Sequence, residues 1–318
     1  MNTPRVVALG GGHGLAATLS SLRSLTSSIT AIVTVADNGG SSGRLREEFD
    51  IYPPGDLRMA LAALCSDDEW GRSWAEIIQH RFTSGGALDN HALGNLLLAA
   101  LWDRDSDPVR ALDKVGDLLK VVGRVLPMSA VPLDIEATFQ REDGEFTVRG
   151  QIQVATSEGE LKKLSVIPHN PPALTEALNA IGEADFITLG PGSWFSSVLP
   201  HVLVPEQAKA LAESRGKKIL LVNLDAGAHP SQQSRGEFAG YSAQEHCEIF
   251  HRFAPEISLD YIVADSSVIR DENALSTLAR EYGGELVVAD LRSSERSIHH
   301  DQRKLTSLFA HIFDKSLV

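Results

Sequence analysis

"VVALGGGHGLAATLSSL", residues 6–22, sets four glycines within five positions, at Gly10, Gly11, Gly12 and Gly14. Arg5 to Leu9 reads as a short β-branched strand. Leu15, Leu19, Leu22 and Leu25 recur at helical spacing, so an amphipathic helix follows. The turn between them is a helix N-terminus, where the first N–H groups lack intrahelical partners and the dipole is positive. Glycines remove every Cβ, so an anion can approach the backbone closely. Gly12, Gly14 and Ala17 fit the G-x-G-x-x-G/A pattern of dinucleotide-binding turns. The G-x-x-x-x-G-K-[ST] phosphate loop is absent. A tight turn that only needs positive φ would use the same residues, so the rest of the chain has to discriminate.

The 318 residues suffice for one large α/β domain, and we read residues 1–318 as a single nucleotide-binding unit. A hydrophobic content of 43% supports a real core. The formal net charge of -13 repels nucleic acid and anionic membranes, leaving a small ligand held by local groups. Only Cys65 and Cys247 occur, without C-x-x-C spacing, which excludes a disulfide framework and a cysteine-rich zinc site. Reduced cytoplasm is the expected compartment. No signal-peptide pattern and no apolar run of membrane-spanning length is visible.

Strand and helix patterns alternate. Strands are expected at 28–37, 185–190, 218–223, 259–264 and 285–290. Helices are expected at 56–65, 91–102 and 107–122, with a last one from about Ile298. Ser242 and Glu245 form a capping-box signature. Continuous apolar strands between helices imply a mostly parallel sheet covered on both faces. Residues 124–168 alternate at period two instead. "EDGE" and "SEGE" mark two turns, so an antiparallel β excursion is expected there. Parallel-sheet proteins with edge insertions often pair, which makes a homodimer an expectation.

Ligands of open parallel sheets bind beyond the carboxyl ends of the strands. Five polar or glycine-rich loops are candidates there. "ADNGGSSGRLREEF" puts Asp37 roughly 20 residues past the glycine turn, where an acid holds ribose hydroxyls in dinucleotide folds. "PPGDLRMALAAL" offers Asp56, either as a helix N-cap or as a ligand to a metal or hydroxyl. "DNHALGNLLLAALW" sets His91 and Asn95 four apart, so they share one face of the expected 91–102 helix. Asn95 is either a core hydrogen-bond partner or a ligand contact. "ITLGPGSWFSSVLPHVLVP" repeats the strand-to-glycine architecture, with Ser193 at a helix start. "LLVNLDAG" ends a strand with Asn223 and Asp225. Catalytic signals are thin. Ser193 lies in G-P-G-S-W rather than G-x-S-x-G, no H-E-x-x-H occurs, and His299 and His300 look like helix neighbours pointing apart.

In this order the segments "ALGGGHGL", "TVADNGGSSGRLR", "PPGDLRMALAAL", "GNLLL" and "LGPGSWFSSVLP" resemble the bacterial gluconeogenesis factor family, which shares a superfamily with 2-phospho-L-lactate transferase. The match runs from about residue 5 to 225, with a weaker echo to the C-terminus. It implies an α/β, Rossmann-like doubly wound fold with a mostly parallel sheet and a small antiparallel β insertion. It also implies a cytoplasmic protein holding a nucleotide diphosphate or UDP-sugar such as UDP-N-acetylglucosamine, with a role in cell shape on gluconeogenic carbon sources. The transferase branch would imply moving a phospholactyl group from a GDP-activated donor onto a deazaflavin, with magnesium. Carried onto this chain, Gly11, Gly12, His13 and Gly14 would form the phosphate loop. Asp37, Asn38, Ser41, Ser42 and Arg44 would line the second loop. Asp56 and Asn95 would face the cleft, opposite Gly190, Gly192 and Ser193, with Asn223 beside them. This chain has Asn38 where the family usually has a second acid. "DAGAHPSQQSRGEFAGYS" stands where the family has a Q-P-G-E-T-like loop. The transferase branch carries a different segment at "PPGDLR", which favours the gluconeogenesis branch. An NAD-dependent oxidoreductase, suggested by Gly12, Gly14 and Asp37, ranks last because no proton donor is evident.

Overall fold

The computed structural model describes residues 3–105, 107–224, 241–294 and 297–316. Strand β1 (Val6–Gly10) is buried along its whole length and enters helix α1 (Gly12–Leu22) through Gly11. Leu15, Leu19 and Leu22 point into the core, each contributing roughly 2 kcal/mol by burial. Leu25 lies past the helix in a turn. Strand β2 (Ile29–Val33) lies parallel to β1 but is shorter than expected, since residues 34–38 leave the sheet as an extended loop. Five helices then pack before the chain returns to the sheet: α2 (Gly40–Glu48), α3 (Pro54–Leu64), α4 (Glu69–Gln79), α5 (Leu93–Arg104) and α6 (Pro108–Leu119). The sequence reading missed α4, although Asp68 caps it by accepting from Gly71 N and its apolar residues have helical spacing.

Strand β3 (Arg124–Pro127) corrects the expected boundary of the excursion. It pairs parallel with β2 at the sheet edge, so the antiparallel insertion begins only at β4 (Asp134–Arg141). "EDGE" does turn β4 into β5 (Gly144–Arg149), antiparallel. "SEGE" does not close a second hairpin. A short helix α7 (Gln151–Thr156) carries the chain across, and β6 (Glu160–Ile167) pairs on the other side of β4. The chain then re-enters the large sheet at β7 (Phe186–Leu189), beside β1. Strands β8 (Lys217–Leu221), β9 (Tyr261–Asp265) and β10 (Glu285–Ala289) follow outward, all parallel.

The large sheet therefore runs β10-β9-β8-β7-β1-β2-β3. Counted without the inserted strands, that is the 3-2-1-4-5-6 order of doubly wound dinucleotide folds plus one further strand. The chain reverses direction between β1 and β7, which makes the carboxyl ends of those two strands the topological switch point. The expected capping box is present: Ser242 Oγ accepts from Glu245 N at 3.2 Å, and Glu245 Oε2 accepts from Ser242 N at 2.7 Å. The last helix, Gln302–Ser316, starts four residues later than predicted. No helix among the described residues is long and apolar enough to cross a membrane.

At the switch point the loops after β1 and β7 touch. A Cβ added at Gly14 would lie 2.1 Å from Pro191 O, a backbone atom that cannot swing away. Gly14→Ala should therefore cost about 1–3 kcal/mol, the range for overpacking. Urea unfolding of the variant checks this, and an unchanged midpoint would contradict the close approach.

Candidate functional site

The glycines of the first turn serve different needs. Gly12 opens α1 with φ of +58°, a left-handed conformation that glycine adopts without strain, and a Cβ there would meet only Asp56 Oδ1, at 3.9 Å. Gly11 is extended, and a Cβ there would sit 2.5 Å from both Asp56 Oδ2 and Thr34 Cγ2. The turn is thus wrapped around the Asp56 carboxyl. Asp56 is not the N-cap of its own helix, as the sequence allowed. Pro53 holds that position, and Asp56 lies in the first turn of α3. Its carboxyl instead stands at the N-terminus of α1, reached from a neighbouring helix, where the Gly12 N–H favours its charged form.

Asp37 lies on the 34–38 loop beside it. Its Oδ1 accepts from Gly39 N at 2.8 Å, and the nearby Ser42 hydroxyl also favours its charged form. Both residues keep some solvent access through the crevice, yet their carboxyls are surrounded by protein. Burial, and then the charge of Asp37, push Asp56 up to about 7; the Gly12 N–H and Arg58 pull the other way without winning. Burial raises Asp37 as well, against Gly39, Ser42 and Arg46. Two acids in one crevice resist carrying two negative charges together. A cation would relieve both.

The opposite wall comes from the loop after β7. Gly190 (φ +75°) and Gly192 (φ +155°) take conformations that favour glycine. Asn223, just past β8, clamps Gly192 from both sides: its Oδ1 accepts from Gly192 N at 2.8 Å and its Nδ2 donates to Gly192 O at 2.6 Å. Ser193 caps Trp194–Val198, a five-residue π-helical turn rather than the α-helix expected, and accepts from Ser196 N at 3.2 Å. Thr34 Oγ1 donates to Ser196 O at 2.7 Å and so ties the second loop to this wall.

Other predicted residues are placed behind the crevice. Ser41 is buried, its hydroxyl 2.9 Å from His91 Nδ1 and 3.0 Å from Asn95 Nδ2. Asn95 Oδ1 accepts from Arg58 Nε at 2.8 Å, so its amide is spent on core contacts. His91 precedes α5, whose N-cap is Ala92, and therefore does not share a helix face with Asn95; the two meet at Ser41 instead. The Arg44 guanidinium turns away to the carbonyls of Ala87 and Asp89. Arg46 takes the nearer position, donating to Asp37 O at 3.0 Å. The "PPGDLR" and "DNHALGN" segments start helices rather than follow strands. Asp225 and the "DAGAHPSQQSRGEFAGYS" loop lie outside the described residues, apart from Tyr241 and Ser242.

Of three further groups, two escaped the sequence reading and one, the pair His299 and His300, was read there as helical and set aside. Arg58 is buried two residues after Asp56 and donates to Asn95 and Gln79. Burial and Arg81 hold it down to about 10. A lone charge inside the apolar run "LRMALAAL" was its signal. His299 and His300 precede the last helix instead of lying on it. With His13, Gly192, Ser193 and Asn223 they line a cavity of about 130 Å³. The His299 ring lies 5.9 Å from that of His13, and burial drives His300 down to about 4. Gln151 on α7 is the third, and nothing in the periodicity of the insertion marked it.

The raised Asp56 sets a sign for pH dependence. Its folded value, about 7, lies above the unfolded 3.8, so the folded protein holds an extra proton between these values and loses stability as pH rises through them. Cation-free protein should melt at a lower temperature at pH 8 than at pH 5, and Asp56→Asn should shrink that difference. Scanning calorimetry at the two pH values checks it; equal pH dependence in both proteins would refute it.

Comparison with known proteins extends the match to nearly the whole chain. The family model described as 2-phospho-L-lactate transferase CofD covers residues 6–315, well beyond the 5–225 stretch of the motifs. A protein of Mycobacterium tuberculosis (strain ATCC 25618 / H37Rv) is 46% identical over 313 residues, 96% of this chain and 89% of its own length. The gluconeogenesis factor of Bacillus subtilis (strain 168) is 37% identical over 269 residues, 85% of this chain and 81% of that protein. The crystal structure of a UPF0052 family member from Bacillus halodurans superimposes with a TM-score of 0.84 at 33% identity, covering 98% of this chain and 99% of the other. The shared sheet order, the glycine turn and these matches lead to one assignment: the chain belongs to the bacterial gluconeogenesis factor family, within the wider 2-phospho-L-lactate transferase CofD family.

Proposed function

We propose that the switch-point crevice binds a nucleotide-sugar diphosphate of the UDP-N-acetylglucosamine type, and that the protein acts in the cytoplasm to sustain cell shape during growth on gluconeogenic carbon. One observation carries the reading. The Asp37 and Asp56 carboxyls are held close together, poorly solvated, at the N-terminus of α1 and against a glycine turn. Acids so placed repel a bare diphosphate but suit a diphosphate that arrives with a divalent cation. Magnesium is commonly held by one or two carboxylates, with waters and substrate phosphates completing its shell. The residues present fit that demand. Among the described residues no group of three or more His, Cys, Asp or Glu could cage a metal unaided. Asp37 and Asp56 would hold the ion, and it would offset the diphosphate charge. The Gly192 and Ser193 wall would meet the phosphates from the other side, while the neutral His300 beside His13 and His299 suits an uncharged part of the ligand. The buried free thiols of Cys65 and Cys247, each raised by burial, support a reducing compartment.

A second reading keeps the same acids. A transferase of the 2-phospho-L-lactate type, taking a GDP-activated donor and a deazaflavin, is favoured by the description of the matching family model. Formation of phospholactyl-deazaflavin by the purified protein with magnesium would establish it, and no product would reject it.

Titration calorimetry with UDP-N-acetylglucosamine, GDP and NAD, each with and without Mg²⁺, tests the first reading. The UDP-sugar should bind at least about tenfold more tightly with Mg²⁺, a difference of about 1.4 kcal/mol. Asp56→Asn should erase most of that gain. No binding of any UDP-sugar would sink the proposal.

A further inference from the structure

The tip of the second loop, Asp37 to Gly39, has little of its own to hold it. It lies outside the sheet, and Gly40 follows with a φ of +48° and nothing within 4 Å of the place a Cβ would take. Asp37 Oδ1 closes a local turn with Gly39 N at 2.8 Å. That turn fixes the side chain relative to its own backbone, not the backbone relative to the crevice. The backbone is held from outside. Arg46 Nη1, on α2, donates to Asp37 O at 3.0 Å, and Arg46 Nη2 donates to Asp134 Oδ1 on β4 at 3.1 Å. Asp134 is itself pinned. Arg149 of β5 donates to its other oxygen, from Nε at 3.0 Å and from Nη2 at 2.6 Å, and the residue pairs with Ile167 of β6. The Arg46–Asp134 pair is the inner one, with side chains 18% and 26% exposed against 55% for Arg149, so solvent screens it less. The next loop residue is held by the same insertion, since Ile152 N of α7 donates to Asn38 Oδ1 at 3.3 Å. On the other wall Gln151 Nε2 donates to Ser196 Oγ at 3.1 Å, which seats the insertion on both sides of the crevice.

We propose that Arg46 is a positioning residue that joins the antiparallel insertion to the Asp37 loop, so that the insertion fixes where Asp37 offers its carboxyl. A guanidinium suits the task. It is a rigid planar fork with donors on separate nitrogens, and it cannot accept, so the direction of both bonds is set. A lysine has one nitrogen and no fork. The charge of Arg46 is met by Asp134, which leaves the Asp37 carboxyl to a cation. For that ion the inference rests on the nucleotide reading above, and it adds the residue that places one of the two acids holding it.

The test is Arg46→Lys, which keeps the charge and loses the fork, read in two ways. In the ligand-free protein, amide hydrogen exchange across residues 36–40 should speed up about tenfold while β1 exchanges as before, the mark of local release. In titration calorimetry UDP should bind about tenfold more weakly with Mg²⁺ present, the scale of one hydrogen bond to a charged group, and unchanged without it. Asp134→Asn, made from the insertion side, should reproduce both changes. Added to Arg46→Lys it should change nothing further, because the tether is already cut. Unaltered exchange across residues 36–40 in either variant would overturn the inference. So would faster exchange with full Mg²⁺-dependent binding, or losses that simply add in the double variant. If the unaltered protein binds no UDP, the nucleotide reading falls, and the exchange rates alone decide whether Arg46 is the tether.

Discussion

The packing of the first glycine turn around the Asp56 carboxyl organises the rest of the site. A helix N-terminus normally finds its partners in its own cap or in water. Here a carboxyl arrives from another helix, α3, and the glycine turn folds around it closely enough that Gly11 has no room for a side chain. This arrangement places a carboxyl where the helix dipole favours charge but solvent does not. Asp37, set beside it by the loop after β2, raises the cost of ionising both. The result is a crevice with unmet demand for positive charge beside a turn that was built for negative charge. A cation arriving with a diphosphate, as proposed above, would satisfy both demands.

The surrounding structure holds that geometry from several directions. The β1 and β7 loops approach to backbone contact at Gly14 and Pro191. Thr34 bonds across to Ser196, and Asn223 fastens Gly192 by both faces of its main chain. Behind the second loop, Ser41, His91, Asn95 and Arg58 form a continuous polar chain inside an otherwise apolar layer, which ends at the exposed Gln79. Polar side chains buried this way need partners, and each has one or more within hydrogen-bonding distance. Their chemistry is spent on keeping α2, α3, α4 and α5 in register, which is why polar residues in conspicuous segments stand behind the site and not in it.

How much of this could be read from residue order follows from how local each signal is. The strand-glycine-helix pattern at residues 6–22 is local, and it held, as did the alternation of strands that defines the doubly wound sheet. The capping box at Ser242 and Glu245 is local too. Errors arose where a choice depended on a partner distant in sequence. Arg124–Pro127 has the same alternation as the insertion, but its partner is β2, and only that pairing makes it a sheet edge. Arg44 and Arg46 are equivalent on paper; the helix turn they share sends one to Ala87 and Asp89 and the other to Asp37. His299 and His300 looked helical because an apolar pattern begins near them, yet the bridge between Arg292 and His300 holds them outside the helix.

The sequence by itself determined the class of fold and the glycine loops at its open edge, because these rest on periodicity and residue type. Tertiary structure alone decided that Asp56 stands at the N-terminus of α1, that Asp37 shares its crevice, and that Gln151 of the insertion reaches Ser196. The physical reason is that proximity across crossover connections is created by sheet order and helix packing, which no run of neighbouring residues encodes.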